Sequence, residues 1–196
     1  TRRSSDLAES EEERNEMMHL LKSVSVSLEE TMEHLNEVVN INTNINLVTK
    51  PLNLNNYIIK AKEVLSEQIV LNEASIIINV PDDAMINYNS AYLESILYNL
   101  ISNAIRYRHP QRKPIVTIKL YKENDKEVVE ISDNGIGIDL AKNSDKIFGM
   151  YKTFGNNSDA RGIGLFITKN QIDAMGGIIT VESVINVGST FKIYIK

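Results

Sequence analysis

The chain has 196 residues, of which 42% are hydrophobic and 24% charged, and its formal net charge is −5. These proportions are typical of a globular protein, and the acidic balance excludes a general attraction to nucleic acid or to an anionic membrane surface. The absence of cysteine excludes disulfide bonds, a thiol nucleophile and thiolate metal sites. Because of the acidic balance, we expect no nucleic-acid partner. No apolar run reaches the roughly 18 residues of a membrane span, so we also expect no membrane contact.

The first fifty residues carry a heptad pattern. From Glu11 to Leu47 there is neither Pro nor Gly, and a seam recurs at alternating intervals of three and four residues over about four heptads. One helix cannot bury such a stripe against itself, so residues 1–50 are predicted to be the long helix of a dimeric helical bundle, which implies a homodimer. The alternative is a long helix packed on its own domain. The seam comprises Met17, Leu21, Val24, Leu28, Thr31, Leu35, Val38, Asn42 and Ile45.

Pro51 ends this predicted helix. Residues 51–55 are predicted to be a linker, because Pro and the Asn residues that follow it favour turns. Residues 56–196 then form the second predicted domain. Around its start the pattern predicts a helix from Leu54 to Gln68 and a strand from Ser75 to Val80.

The stretch from Leu93 to Tyr107 is predicted to be a helix with two different faces, capped by Asn89 or Ser90. Two buried amides without partners would each cost about 1–3 kcal/mol. The polar face is therefore either solvent-exposed or occupied by a ligand that brings oxygens and a cation, and the helix alone leaves both open. The apolar face comprises Leu93, Leu97, Leu100, Ile101 and Ala104, and the polar face comprises Asn99, Asn103, Arg106 and Tyr107.

The next two predicted strands bring a carboxylate to the core. Val116 to Lys122 alternates as a strand does, and a turn at residues 123–126 leads into a return strand on which Val129, Ile131 and Asp133 share one face. A buried carboxylate is costly unless hydrogen bonds meet it, so Asp133 either caps the amides of a local Asp-Gly turn or binds a ligand. Glycines directly after it let the backbone turn and let a ligand approach; the segment includes Gly135, Gly137 and Ile138.

A long polar stretch over residues 139–161 follows, with Phe148 and Tyr151 among its few large apolar side chains. A connection this long is usually functional, and we interpret it as a lid with an aromatic anchor. A helix to about Met175 comes next, and free N–H groups at its start predict a phosphate site. The Rossmann and P-loop motifs both fail here. The opening residues are Arg161, Gly162, Gly164 and Leu165.

Two final strands, from Ile178 to Val184 and from Ser189 to Ile195, complete the chain. In this order, the motifs resemble the ATP-binding domain of sensor histidine kinases, of the Bergerat type shared with Hsp90, gyrase B and MutL. The resemblance covers residues 53–196, and the preceding helix resembles the second helix of the kinases' dimerisation and phosphoacceptor hairpin. The implied fold is α+β, a two-layer α/β sandwich preceded by the long helix.

The resemblance implies a role for each motif residue. Asn103 matches the Mg²⁺ ligand, Asn99 the first Asn of the same motif, Arg106 a phosphate-facing base, Tyr107 the aromatic residue beside the purine and Asp133 the acceptor for the adenine amino group. Catalytic roles are implied for Asn99 and Arg106. The remaining implied ATP-binding residues are Gly135, Gly137, Ile138, Phe148, Tyr151, Arg161, Gly162, Gly164, Leu165 and Thr190, with Gly188 in the last motif. Ala160 departs from the family, which often has Gly there.

One position separates the members of this family by mechanism. Hsp90, gyrase and MutL carry a Glu that activates water where this chain has Asn99, which cannot act as a base. The implied function is therefore transfer of the γ-phosphoryl group of Mg-ATP to a histidine, for relay to the receiver domain of a response regulator in the cytoplasm. The alternatives are a nucleotide-binding regulatory or dimerisation module without kinase activity, and a Bergerat-type ATPase. Asn99 argues against the last.

The three histidines do not match the family's acceptor, which is followed by an acidic or amide residue and, a few residues on, by Pro. His19 is followed by two leucines, His34 has no nearby Pro, and His109 precedes Pro110 in a predicted surface turn. We therefore expect that the acceptor helix is not part of this chain, and that the chain binds Mg-ATP without phosphorylating itself.

Overall fold

The computed structural model describes residues 14–22, 24–25, 48–143, 147–149 and 162–196. The chain divides into two units, Thr1–Asn40 and Ile41–Lys196. In the first unit, residues 14–22 and 24–25 are helical (α1). Most of the predicted helix from Glu11 to Leu47 lies outside the described residues, so the long helix and the homodimer stay predictions. No helix in the described part of the chain is long and apolar enough to cross a membrane.

The second unit contains seven strands and five helices in its described part. In chain order they are β1 (Lys50–Asn53), α2 (Leu54–Val64), α3 (Ser66–Leu71), β2 (Ser75–Asn79), β3 (Met85–Tyr88), α4 (Ser90–Arg106), β4 (Ile115–Glu123), β5 (Lys126–Asp133), α5 (Leu140–Asn143), α6 (Gly164–Ala174), β6 (Ile178–Val184) and β7 (Gly188–Tyr194).

A five-stranded mixed sheet in the order β2-β4-β5-β7-β6 forms one layer of this unit. The pair β2–β4 is parallel and the other three pairs are antiparallel. The second layer consists of helices: α4 packs on β4 and β5, α6 packs on β6, and α2 and α6 both pack against α4. This arrangement confirms the predicted α+β two-layer fold.

The core lies between these two layers. The register places Val116, Ile118 and Ile131 on the helix-facing side of the sheet, and all three are buried. The apolar face predicted for α4 is buried as well, at Leu93, Leu97, Leu100, Ile101 and Ala104. Burial of apolar area of this kind is the main force that holds a sheet and its helices together.

The ends of two elements follow directly from local chemistry. Asn89 caps α4, because its side-chain oxygen accepts hydrogen bonds from the N–H groups of Ala91 (3.1 Å) and Tyr92 (3.2 Å). The β4–β5 hairpin turns at Asn124 and Asp125, whose φ angles are 50° and 62°. Positive φ at both central residues matches a type I′ hairpin turn and confirms the predicted turn.

The predicted linker over residues 51–55 is wrong. Residues 50–53 form β1, which pairs antiparallel with β3 in a separate two-stranded sheet. Proline is tolerated in such an edge strand, and burial of Leu52 and Leu54 stabilises the segment. β3 was not predicted at all. The helix predicted from Leu54 to Gln68 is instead two helices, because α2 ends at Val64 and α3 begins at Ser66.

Replacement of Asn55 by Ala is expected to lower the free energy of unfolding by about 1–3 kcal/mol. Asn55 is buried, and its Nδ2 donates to the carbonyl oxygens of Val80 (3.1 Å) and Pro81 (3.0 Å), which would lose this donor. Urea unfolding measures the change. The neighbouring exposed Asn56 provides the control, since Asn56→Ala should change stability by less than about 0.5 kcal/mol; equal effects of the two substitutions would contradict the assignment.

Candidate functional site

Asp133 lies at the end of β5 on the helix-facing side of the sheet. It pairs with Val116, in the same row as Ile131 and Val129, as the alternation predicted. Its Oδ1 accepts hydrogen bonds from the N–H groups of Gly135 (2.7 Å) and Ser189 (3.3 Å). Within residues 48–143, 147–149 and 162–196, no donor to Oδ2 is found. One oxygen therefore caps local amides, and the other is available to a ligand.

The burial of this carboxylate has an electrostatic consequence. Removal from water raises the pKa of the Asp133 carboxyl above its ordinary value, and the hydrogen bonds from the Gly135 and Ser189 N–H groups only partly oppose that rise. A charge-bearing oxygen in a partly desolvated position is a strong acceptor for an N–H donor of a ligand.

The loop after Asp133, residues 134–138, is held against the end of α4. The N–H group of Ile136 donates to the Tyr107 carbonyl (3.0 Å), and a Cβ added to Gly135 would collide with the same carbonyl oxygen. Gly137 has a φ of 70° and lies against the Val184 backbone, so a side chain there would be both strained and obstructed. The predicted glycines thus bring three separate segments into backbone contact.

The start of α6 lies beside Asn99. A Cβ added to Gly164 would lie 3.0 Å from Asn99 Oδ1 and 3.4 Å from its Cγ. The N-cap residue Ile163 makes no side-chain hydrogen bond to the first N–H groups of α6, since an Ile side chain has no acceptor. Uncapped N–H groups and the helix dipole together favour an anion such as phosphate.

The last turns of α4 supply the other polar groups. Asn103 is half-buried, Arg106 is exposed and Tyr107 is half-buried. Burial raises the pKa of the Tyr107 hydroxyl, and the Arg106 charge partly opposes that rise. Positions 99, 103 and 106 follow a helical spacing of four and three, so these side chains share one face of α4.

One predicted site residue is corrected by the register of β7. Thr190 pairs with Ser132, and alternation places its side chain on the face of the sheet opposite to Asp133. Its neighbour Ser189, which the sequence interpretation missed, is buried, and its backbone N–H group donates to Asp133 Oδ1. A signal was available, since Phe191, Ile193 and Ile195 alternate along this strand and Ser189 falls on the same face.

Ser183 was also missed. Its Oγ accepts from the Ile138 N–H (2.7 Å), donates to the Gly188 carbonyl (2.9 Å) and lies 3.0 Å from Ser189 Oγ. It therefore joins the loop after Asp133 to the start of β7. A single Ser in an ordinary strand pattern gives no sequence signal for such a position.

The predicted lid is described only in part. Ile147 is buried and Phe148 is half-buried in the short segment 147–149. Tyr151 and Arg161 lie outside the described residues. Gly162 and Leu165 flank the start of α6 and are half-buried.

Residues 88–196 match the family described as Histidine kinase-, DNA gyrase B-, and HSP90-like ATPase. The chain is 26% identical over 185 residues to the circadian input-output histidine kinase CikA of Synechococcus elongatus, an alignment that covers 89% of this chain and 24% of CikA. It is 39% identical over 109 residues to the aerobic respiration control sensor protein ArcB of Escherichia coli, with 53% of this chain and 14% of ArcB covered.

Among solved structures, the histidine kinase AdeS of Acinetobacter baumannii has the same fold, with a TM-score of 0.74 at 22% identity over 92% of this chain and 83% of that chain. The chain belongs to the histidine kinase-, DNA gyrase B- and HSP90-like ATPase family, and it contains the ATP-binding catalytic domain of a sensor histidine kinase. It spans only 24% of CikA and 14% of ArcB.

Substitution Asp133→Asn is expected to leave the free energy of unfolding at pH 7 unchanged or to raise it. The folded protein holds the Asp133 proton more tightly than the unfolded chain does, so the buried charge opposes folding at neutral pH. The difference from wild type should shrink when the pH is lowered from 7 to about 4, because a carboxyl with a raised pKa takes up its proton before an ordinary one does.

Urea unfolding at these two pH values measures the difference. Asp125→Asn, at the exposed tip of the β4–β5 hairpin, is the matched control and should show no such pH dependence. A variant at Asp133 that is less stable than wild type at pH 7 would contradict the electrostatic account.

Proposed function

We propose that this chain binds Mg-ATP between Asp133, the polar face of α4 and the start of α6, and that it serves as the kinase part of a longer sensor protein. The proposal rests on the hydrogen bonds of the Asp133 carboxylate. Two backbone N–H groups donate to Oδ1, whereas Oδ2 has no donor among the described residues. The adenine amino group donates to Oδ2 in this proposal. Tyr107, Ile138 and Phe148 then lie beside the base.

The phosphates are proposed to bind at the start of α6, where the N-cap residue Ile163 makes no side-chain hydrogen bond to the helix. Asn103 would hold the magnesium ion through its amide oxygen, a hard ligand of the kind Mg²⁺ accepts. The described residues contain no cluster of three His, Asp or Glu side chains for a metal. The ion would therefore take most of its other ligands from phosphate and water.

The proposed reaction transfers the γ-phosphoryl group to a histidine. An imidazole nitrogen forms a bond to the γ-phosphorus while the bond from that phosphorus to the bridging oxygen of ADP breaks. ADP leaves with the electron pair, and the imidazole N–H proton passes to solvent. Arg106 would offset the charge on the phosphates, and a magnesium ion held by Asn103 would supply further charge neutralisation. Asn99 offers no base for water, so the phosphoryl group is kept for the imidazole.

The acceptor histidine is proposed to lie outside this chain. His19 is exposed on α1, where two leucines follow it, and His109 Nδ1 accepts from the Gln111 N–H (3.2 Å) in a turn; neither has the sequence pattern of the family's acceptor. His34 lies outside the described residues. A homodimer formed through the N-terminal helix and a response regulator as the final recipient belong to the same proposal.

Asp133→Asn is expected to weaken ATP binding by about 1.5–3 kcal/mol, which is at least about a tenfold rise in Kd. The amide keeps the acceptor for Gly135 and Ser189 but presents an NH₂ group to the adenine NH₂ group. Calorimetric titration with ATP and Mg²⁺ measures the loss, with Asp125→Asn as control. An unchanged affinity would mean that the adenine site is elsewhere.

Asn103→Ala is expected to abolish the dependence of nucleotide affinity on magnesium, because the proposed protein ligand to the ion is removed. Titration with a non-hydrolysable ATP analogue, with Mg²⁺ and with EDTA, measures this dependence. Asn56→Ala is the control and should keep it. If Asn103→Ala retains the wild-type magnesium dependence, the assignment of Asn103 is incorrect.

Incubation with ATP labelled at the γ-phosphate is expected to leave this chain unlabelled, since none of its histidines has the acceptor pattern. When a protein carrying a sensor-kinase acceptor helix is added, acid-labile and base-stable label should appear on that protein. Acid-labile and base-stable label on His19 or His34 would overturn the expectation that this chain stays unlabelled. The absence of transfer to any added acceptor helix would favour a regulatory nucleotide-binding module.

A further inference from the structure

Two irregular backbone segments meet beside Asp133. They are the loop of residues 134–138 and the β6–β7 turn of residues 185–187. The Asn186 N–H group donates to the Ile136 carbonyl (2.7 Å), and Gly137 lies directly against the Val184 carbonyl. Asn186 has a φ of 63°, in the left-handed region, and lies in the turn between the paired residues Val184 and Gly188.

One side chain joins both segments. Arg112 Nη2 donates to the Asn186 carbonyl (2.7 Å) and to the Gly135 carbonyl (3.1 Å). In the described part of the second unit, no backbone N–H group donates to either of these oxygens. The guanidinium is therefore their polar partner, and a hydrogen bond from a charged donor is stronger than one between neutral groups.

The backbone on both sides of Arg112 is anchored close to the loop. The Arg112 N–H group closes a turn onto the His109 carbonyl (3.2 Å). On the other side, the Asn134 side chain accepts from the Ile115 N–H (2.8 Å) and donates to the Lys113 carbonyl (3.1 Å). The guanidinium thus reaches its two carbonyls from a fixed base.

The two segments that Arg112 joins are those that hold the Asp133 carboxylate. Gly135 donates to Oδ1 from the loop, and Ser189 donates to Oδ1 from the strand that follows the turn. Any separation of loop and turn would rotate or release that oxygen and so redirect Oδ2. Because Oδ2 is the proposed acceptor for the adenine amino group, its direction decides how well the site distinguishes adenine from a base without that group.

An ordinary surface role fits Arg112 less well. No carboxylate among the described residues forms an ion pair with it, whereas its neighbour Lys113 pairs with Glu73. Its Nη2 donor is directed at two carbonyls of the chain itself, so it is not free for phosphate. Arg108, in the same connection between α4 and β4, is exposed and carries the same charge.

We infer that Arg112 is a positioning residue for the nucleotide site, which fixes the direction of the Asp133 carboxylate by binding the Gly135 and Asn186 carbonyls. The inference rests on the proposed ATP site for its effect on binding, but its structural part does not. It assigns to Arg112 a contribution to adenine recognition without contact to the base.

The test compares the purified wild-type chain with Arg112→Ala, Arg112→Lys and Arg108→Ala. Amide hydrogen exchange at Asn186 and Gly135, measured without nucleotide, should be about tenfold faster in Arg112→Ala than in wild type. The Lys variant should be intermediate, because one ammonium group can reach at least one of the carbonyls. Arg108→Ala, which removes the same charge from the same connection, should exchange as wild type does.

Titration with Mg-ATP and with Mg-ITP, whose base has an oxygen where adenine has an amino group, gives the second measurement. Arg112→Ala should lower ATP affinity about tenfold and reduce the preference for ATP over ITP, while Arg108→Ala should keep that preference. A purely structural effect, or a long-range effect of charge, would weaken the binding of both nucleotides equally. Thermal unfolding reports whether each variant folds. If Arg112→Ala does not fold, the ATP and ITP affinities of Arg112→Lys are compared with those of wild type instead.

Unchanged exchange at Asn186 and Gly135 in the folded variants would overturn the inference, as would an unchanged ATP-to-ITP ratio. An equal loss of the preference for ATP over ITP in Arg108→Ala would overturn the inference too. Failure of the wild-type chain to bind ATP would instead refute the proposed function, and the exchange measurement would still decide whether Arg112 fixes the loop.

Discussion

The structure around the site depends on how one half-buried carboxylate is hydrogen-bonded. Asp133 lies on the core side of the sheet, where a charge is costly unless hydrogen bonds compensate for lost hydration. The compensation comes from two backbone N–H groups on different segments, at Gly135 and Ser189. The loop after β5 and the beginning of β7 must therefore come together at the same atom, and the fold of this corner follows from that requirement.

Glycine allows this convergence for steric reasons at several positions. A Cβ at Gly135 would enter the Tyr107 carbonyl, one at Gly188 would enter the Asp133 carbonyl, and one at Gly164 would press on the Asn99 amide. These approaches join the loop after β5 to the end of α4, β7 to the end of β5, and the start of α6 to α4. The glycine motifs of the sequence thus mark close approaches of backbone as well as turns.

Much of this site could be predicted from periodicity. The helical spacing placed Asn99 and Asn103 on one face of α4, and the alternation of β5 placed Asp133 inward. The same alternation, carried back from Phe191, would have selected Ser189 over Thr190. β1 could not be recognised because Pro51 favours a turn interpretation, and only pairing with the distant β3 overrides it. Arg112 gave no signal because its partners are main-chain carbonyls remote in sequence.

The close approach of Asn99 and Gly164 links one predicted site residue to the packing of two helices. The Asn99 side chain occupies the space that a Cβ on Gly164 would need, with Oδ1 3.0 Å and Cγ 3.4 Å from that position. A side chain at position 164 would compete with Asn99 for this space, so the glycine lets α6 begin directly beside the amide. The residues at positions 99 and 164 are therefore coupled, and a larger side chain at either one must be accommodated by the other helix.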